Sequence, residues 1–181
     1  VVLATGAIER PLVFADNDRP GVMLASAVSV YMRRYAAVPG RSLVIFTNND
    51  SAYRVVHDAI DAGVVVKGVV DLREDGVSAA ADAARSAGVP VYLGHAVTAV
   101  KSGFRGVKGI NISRLSADGR SVVAHKGAIE CDILAMSGGW NPTCHLHAQS
   151  GGRPVFHEAN ACFLPGVSVQ AERSTGACAG E

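Results

Sequence analysis

The sequence is short of aromatic residues, of net charge and of long apolar runs. One Trp, four Tyr and five Phe amount to 6% of 181 residues, too few for a surface on which bases would stack. Seventeen Lys and Arg face sixteen Asp and Glu, a formal charge of +1. That leaves no basic excess to follow a phosphate backbone, which argues against a nucleic-acid binder. Low net charge with 49% hydrophobic residues argues equally against disorder. No stretch approaches the roughly 18 consecutive apolar residues of a membrane helix, and the first residues have no basic region ahead of an apolar core, as a secretory leader would. An initiating Met is also missing. The chain opens on Val1 inside an apolar run, as expected of a piece cut from something longer.

Paired cysteines are absent as well. Cys131, Cys144, Cys162 and Cys178 contain no C-x-x-C pair, and a chain with this much Val and Ala needs no disulfide scaffold. Free thiols in a reducing cytoplasm are the expectation. Cys144, His145, His147 and His157 fall close together but lack the paired spacing of a zinc site. They read as buried thiols and partly exposed loop histidines, with no metal.

What is abundant is small or β-branched: 28 Ala, 26 Val and 20 Gly. Val1–Thr5 reads as a strand ending at Gly6, followed by a loop over Ala7–Pro20. Gly21–Ala36 reads as a helix, with Val22, Ala25, Val28 and Met32 on one face. Val38-Pro39-Gly40 is a breaker. Ser42–Thr47 is a continuous apolar run, as a strand buried on both faces should be. A helix over Asp50–Ala62 follows, capped by Asp50 or Ser51 and ended by Gly63. Val64–Asp71 is a second strand, Gly76–Ala87 a second helix and Val89–Leu93 a third strand. This alternation implies a parallel, Rossmann-like half. The texture then changes. Val97–Val100, Val107–Leu115 and Ser121–His125 read as short antiparallel strands, with Asp118-Gly119 as a hairpin turn. Ile129–Met136 reads as a strand returning to Ser137-Gly138-Gly139. The fold class is therefore α/β: a three-layer, Rossmann-like parallel sheet with a small antiparallel extension. It occupies residues 38–136, flanked at 1–37 and 137–181 by pieces of an interrupted dinucleotide-binding domain.

The decisive absence is glycine in the loop after Ser42–Thr47. A dinucleotide fold wants G-x-G-x-x-G there, so that backbone can approach the pyrophosphate. Here the loop is Thr47-Asn48-Asn49-Asp50-Ser51-Ala52. Asp50 puts a carboxylate at the helix N-terminus, where a phosphate would otherwise sit. Asn48 and Asn49 still permit the turn, and Asp71 ends the next strand where a ribose-binding acid would stand. These three are the weaker nucleotide candidates, and a structural unit whose nucleotide site has decayed is the other reading.

The flanks carry glycines in a telling order: strand-Ala4-Thr5-Gly6, insert, strand-Ser137-Gly138-Gly139, strand-Gly176-Ala177. That order resembles the two-dinucleotide-domain flavoproteins, the superfamily of glutathione and thioredoxin reductases. There a strand ending in A-T-G leaves the first domain, a second Rossmann-like domain follows, and a strand with an acid and a Gly-x-x-Pro-like ending returns. Asp132 and Gly139-Trp140-Asn141-Pro142 match that return. The strings VVLATGAIERPLVFADNDRPGVMLASAV, VIFTNNDSAYR and DILAMSGGWNPTCHLHAQSGG narrow the resemblance to the alpha subunits of the heterotetrameric sarcosine oxidases. It covers nearly the whole chain.

The resemblance implies a central fragment of such a subunit, without the glycine-rich loop of the first domain and without the folate-binding half. In the family the alpha subunit binds NAD, the beta subunit holds FAD, and a covalent FMN lies between them. Gamma and delta subunits complete the complex. It demethylates sarcosine to glycine, forms hydrogen peroxide and passes a one-carbon unit to tetrahydrofolate. Thr5, Gly6, Gly138, Gly139, Gly176 and Ala177 match the family's dinucleotide-contacting strand ends. Ala177 replaces the acid that flavoproteins use to hold a ribityl hydroxyl, which suits NAD rather than FAD. No residue has a catalytic role in the amine oxidation, and the fragment alone is expected to be inactive. Related alpha subunits serve opine oxidase, dye-linked proline dehydrogenase, N-methylglutamate dehydrogenase and hydrogen cyanide synthase. A non-catalytic reading remains, in which Thr143–Pro165, with Trp140, Phe156 and Phe163, is a subunit contact.

Overall fold

A computed structural model describes residues 1–74, 79–104 and 106–181. Along the chain the strands and helices are β1 (Val2–Leu3), β2 (Ala7–Glu9), β3 (Val22–Leu24), α1 (Ala25–Tyr35), β4 (Ser42–Thr47), α2 (Arg54–Asp61), β5 (Val65–Asp71), α3 (Ala79–Ser86), β6 (Val91–Leu93), β7 (His95–Gly103), β8 (Gly106–Leu115), β9 (Val122–Ile129), β10 (Ile133–Ser137), β11 (Trp140–Pro142), α4 (His145–Gln149), β12 (Val155–His157), β13 (Cys162–Leu164) and β14 (Arg173–Ser174). They form two compact units. One is Pro11–Gly139; the other joins Val1–Arg10 to Trp140–Glu181.

The larger unit is built on a five-stranded parallel sheet in the order β3-β10-β4-β5-β6. Alternation along β4 sorts its side chains between two cores. Leu43 and Ile45 join Val28 of α1, Val56 and Ala59 of α2, and Ala84 of α3. Val44 and Phe46 join Val97, Ile110 and Ile112 of the antiparallel sheet β7-β8-β9. Helices therefore cover one face and the antiparallel sheet the other, the expected three layers. Because both faces are covered, β4 has no polar side and reads as an unbroken apolar run.

Several local expectations shift. The unit begins at Pro11, so β3 and α1 belong to it, and its boundary is not the Val38–Gly40 breaker. Val22–Leu24 is an edge strand against β10 rather than the first turn of a helix. Ala7–Glu9, expected in a loop, pairs antiparallel with β11. The helix after β4 begins with a 3-10 turn over Asp50–Tyr53, and its cap is Asn49, whose side chain accepts from the Ser51 N–H, not Asp50 or Ser51. Ile129 ends β9 instead of starting β10. Of the expected helix Gly76–Ala87, residues 76–78 lie outside the described residues. Thr143–Pro165 holds α4 and the hairpin β12–β13.

The return into the sheet is latched by Asp132. Its carboxylate accepts from the backbone N–H of Arg41 (3.0 and 3.1 Å), from that of Ser42 (2.8 Å) and from the Ser42 hydroxyl (3.1 Å). Gly40 leaves room for this, since a Cβ there would lie 2.6 Å from Ile133 and 2.7 Å from Asp132 Oδ1. Partial burial works to raise the Asp132 carboxyl, but these donors outweigh it and hold it below the ordinary range. A depressed carboxylate stabilises the fold above its unfolded value, and this stability is lost as pH falls through the folded one. Asp132→Asn is therefore expected to flatten the acid limb of a stability–pH curve below about pH 4, as read by urea unfolding across pH.

Candidate functional site

From β4 the chain crosses by α2 to β5 on one side, while β10 returns on the other side of β4. This reversal of strand order opens the crevice at the carboxyl ends where such sheets bind ligands. Here side chains of the loop hydrogen-bond to one another and across to β10. Thr47 Oγ1 accepts from the Asn49 N–H (3.0 Å) and donates to the Asn49 carbonyl (2.9 Å). Asn49 Nδ2 crosses to β10, donating to the Ser137 carbonyl (3.2 Å) and hydroxyl (3.0 Å), and also reaches Asn48 Oδ1 (3.1 Å). Its Oδ1 accepts from the Ser51 N–H (3.2 Å) and hydroxyl (2.6 Å). One asparagine thus joins β4, β10 and the start of the helix.

Asp71 ends β5 with no exposed surface. Its Oδ2 accepts from the Tyr53 hydroxyl and from Arg73 Nη2, both at 2.8 Å. Its Oδ1 accepts from Arg73 Nε and the Arg73 N–H, both at 3.0 Å. A carboxylate has about four acceptor sites, and four donors fill them. Arg73 Nη2 also reaches Asp50 at 2.8 Å. Hydrogen bonding to Asp71 holds the Arg73 guanidinium above its ordinary value. Burial, with the Asp71 charge second, pushes the Tyr53 hydroxyl up, so it remains a donor. The sequence marks Asp71 as a ribose acid but gives no sign that Arg73, two residues on, consumes it.

In the smaller unit, β1 and β14 pair in parallel, Leu3 opposite Ser174. Their ends bring Thr5, Gly6, Gly176 and Ala177 together. The Thr175 N–H donates to the Leu3 carbonyl at 3.0 Å, and Cys178 Sγ donates to the Leu3 (3.0 Å) and Thr175 (3.1 Å) carbonyls. Gly6 (φ +72°) and Gly176 (φ +68°) hold left-handed backbone with no heavy atom near a would-be Cβ. Both turns need glycine for conformation, and both leave the backbone open to close approach. Thr5 Oγ1 is committed to the Thr143 carbonyl at 2.9 Å. Gly138 and Gly139 lie at the end of β10 in the larger unit, both buried.

Sequence reasoning missed a second polar centre in the smaller unit. His147, expected as a partly exposed loop histidine, is 1% exposed, and its Nδ1 lies 2.9 Å from Oε1 of the buried Glu172. Ser150 donates to the His147 carbonyl (2.8 Å) and to Glu172 Oε1 (3.3 Å). Burial opposes the Glu172 charge, but hydrogen bonding from His147 and Ser168 overcomes it and lowers the carboxyl. The two residues stand 25 positions apart, which no local pattern discloses.

No family model matches the chain. Over 181 residues it is 41% identical to sarcosine oxidase subunit alpha of Corynebacterium sp. (strain P-1), matching 99% of this chain and 18% of that protein. With sarcosine oxidase subunit alpha of Rhizobium meliloti (strain 1021) the identity is 42% over 182 residues, 98% of this chain and 17% of that protein. The chain is a relative of the sarcosine oxidase alpha subunits. It spans less than a fifth of their length. Among solved structures, L-proline dehydrogenase from P. horikoshii superposes at TM-score 0.66 and 20% identity, over 98% of this chain and 29% of that one. Thioredoxin reductase from T. acidophilum superposes at 0.70 and 15%, over 98% and 57%. The fold of this alpha-subunit relative is thus that of the two-dinucleotide-domain flavoprotein reductases, as the glycine order predicts. Among the described residues no helix is long and apolar enough to cross a membrane.

Proposed function

We propose that this chain serves a sarcosine-oxidase-type alpha subunit in two ways. Its smaller unit contributes the strand ends of an NAD site, and its larger unit is a Rossmann scaffold that binds no dinucleotide. The observation that carries the second part is the saturation of Asp71 by Arg73 and Tyr53. Asn49 bridging to Ser137 and the loop without glycine agree with it. For the first part, the open, positive-φ backbone at Gly6 and Gly176 suits close passage of a dinucleotide. Exposed Ala177 adds no charge to repel its phosphates. Bound NAD would supply a hydride-accepting nicotinamide. Thr5, Gly6, Gly176 and Ala177 would only hold and orient the molecule.

The wider reading is that the whole complex oxidatively demethylates sarcosine, with FAD and FMN carried mainly by a partner subunit and tetrahydrofolate taking the one-carbon unit. The likeness to L-proline dehydrogenase favours a second substrate class. Turnover of sarcosine against proline by the complex separates the two. The NAD assignment is tested by equilibrium dialysis on the complete alpha subunit. Ala177→Glu is expected to weaken NAD at least about tenfold, ~1.4 kcal/mol, while Asn48→Asp leaves it unchanged. The reverse pattern would place the nucleotide in the larger unit.

A further inference from the structure

The strand ends of the smaller unit meet on a short ladder. β1 and β14 are two residues long each, and a two-stranded pairing is marginal by itself. The Thr175 N–H continues it by donating to the Leu3 carbonyl at 3.0 Å. Beyond that bond lie the turns at Gly6 and Gly176. A second path joins the same two ends. The Gly6 carbonyl accepts from the Thr143 N–H at 2.9 Å, and Thr5 Oγ1 donates to the Thr143 carbonyl at 2.9 Å. Thr143 leads through Cys144 into α4. There His147 Nδ1 donates to Oε1 of Glu172 at 2.9 Å, and Glu172 stands immediately before β14. The circuit therefore runs from Gly6 through Thr143, His147, Glu172 and Thr175 back to Leu3. Its closing link is the contact between the two buried side chains.

Stability gives little reason for such a link. Apolar side chains of similar volume often serve a buried site as well as a polar pair or better. Here His147 Nε2 is buried and, among the described residues, has no partner, which costs free energy. What apolar packing lacks is direction, since a hydrogen bond fixes both a distance and an angle. The neighbours keep this one in place. Gly152 lies against the imidazole, and Ser150 donates to the same Glu172 oxygen at 3.3 Å. We infer that His147 and Glu172 are positioning residues for the dinucleotide: they hold α4 to the start of β14 and so fix the separation of Gly6 from Gly176. This rests on the assignment of NAD to those strand ends. His147 acts through Thr143, and Glu172 through β14.

The test uses the complete alpha subunit and two readouts: equilibrium dialysis with NAD, and amide hydrogen exchange without it, read on the peptides that carry Thr143 and Thr175. Glu172→Ala is expected to weaken NAD about tenfold and to speed exchange in both peptides by a similar factor. Glu172→Gln keeps an acceptor for His147 Nδ1 and should stay within about twofold of the wild type in both readouts. A brace that served stability alone would move the melting temperature and leave the NAD affinity unchanged. Should Glu172→Ala fail to fold, Glu172→Asp takes its place, one methylene shorter, with a severalfold loss expected. Unchanged NAD affinity in the Ala variant, or in the Asp variant that replaces it, would overturn the proposal while the NAD assignment stands. So would unchanged exchange, or a Gln variant as weak as the Ala. A wild-type subunit that binds no NAD would overturn the assignment itself, and the positioning role with it.

Discussion

Arg73→Ala is expected to destabilise the larger unit by about 3–5 kcal/mol, the usual cost of removing one partner from a buried ion pair. Asp71 has no exposed surface, and Arg73 supplies three of its four hydrogen bonds. Of those three, the substitution spares only the backbone N–H. The guanidinium goes, and the carboxylate keeps only the Tyr53 hydroxyl and the backbone N–H of residue 73 as donors. The expected fall in melting temperature is roughly 10 °C for a chain of this size. Asp71→Asn in the Arg73→Ala background should recover part of the loss, because a neutral amide needs no counter-charge and can still accept from Tyr53. A loss no larger than that of an ordinary surface substitution would show that water replaces the lost guanidinium at Asp71. Urea unfolding of the two single variants and the double variant gives the answer.

The second large effect is expected at Gly152. A Cβ there would lie 2.7 Å from Nδ1 of His147 and would overlap Cε1 and Nε2 as well. The imidazole cannot easily retreat, being 1% exposed and tied to Glu172. Overpacking of this kind costs about 1–3 kcal/mol, and three overlaps on a fixed ring point to the upper end. The check is a double-mutant cycle. In a His147→Ala background the penalty of Gly152→Ala should vanish, because the ring that occupies the space is gone. A penalty that persists there would belong to the Gly152 backbone rather than to the contact.

Legibility in the sequence followed the range of the interaction. β4 could be read to the residue, because burial on both faces leaves six apolar or small residues in a row. The β-α-β order and the antiparallel layer were legible for the same reason, each element carrying its own period. Val22–Leu24 was not. Three apolar residues running into a helix fit its face, and only the register against Leu134–Met136 makes them a strand. Ala7–Glu9 finds its partner at Trp140–Pro142, beyond the reach of any local pattern. In the site, the missing glycine was visible at once. The reason Asp71 has nothing to offer was not, since an aspartate two residues before an arginine usually signals an exposed turn. The buried His147–Glu172 pair lay equally out of sight, because burial of a polar group follows from packing and not from its neighbours in sequence.

The division of the smaller unit between the two ends of the chain has a consequence for synthesis. β1 leaves the ribosome before the larger unit, and β14, the strand it pairs with among the described residues, leaves after it. At about 5–20 residues per second, roughly 10–30 s separate the two. Throughout that interval β1 is without β14 and β2 is without β11. The larger unit can complete its five-stranded sheet before the β1–β14 and β2–β11 pairs can form. Nascent chains halted after Gly139 should therefore carry a folded Pro11–Gly139 while β1 and β2 still await β14 and β11.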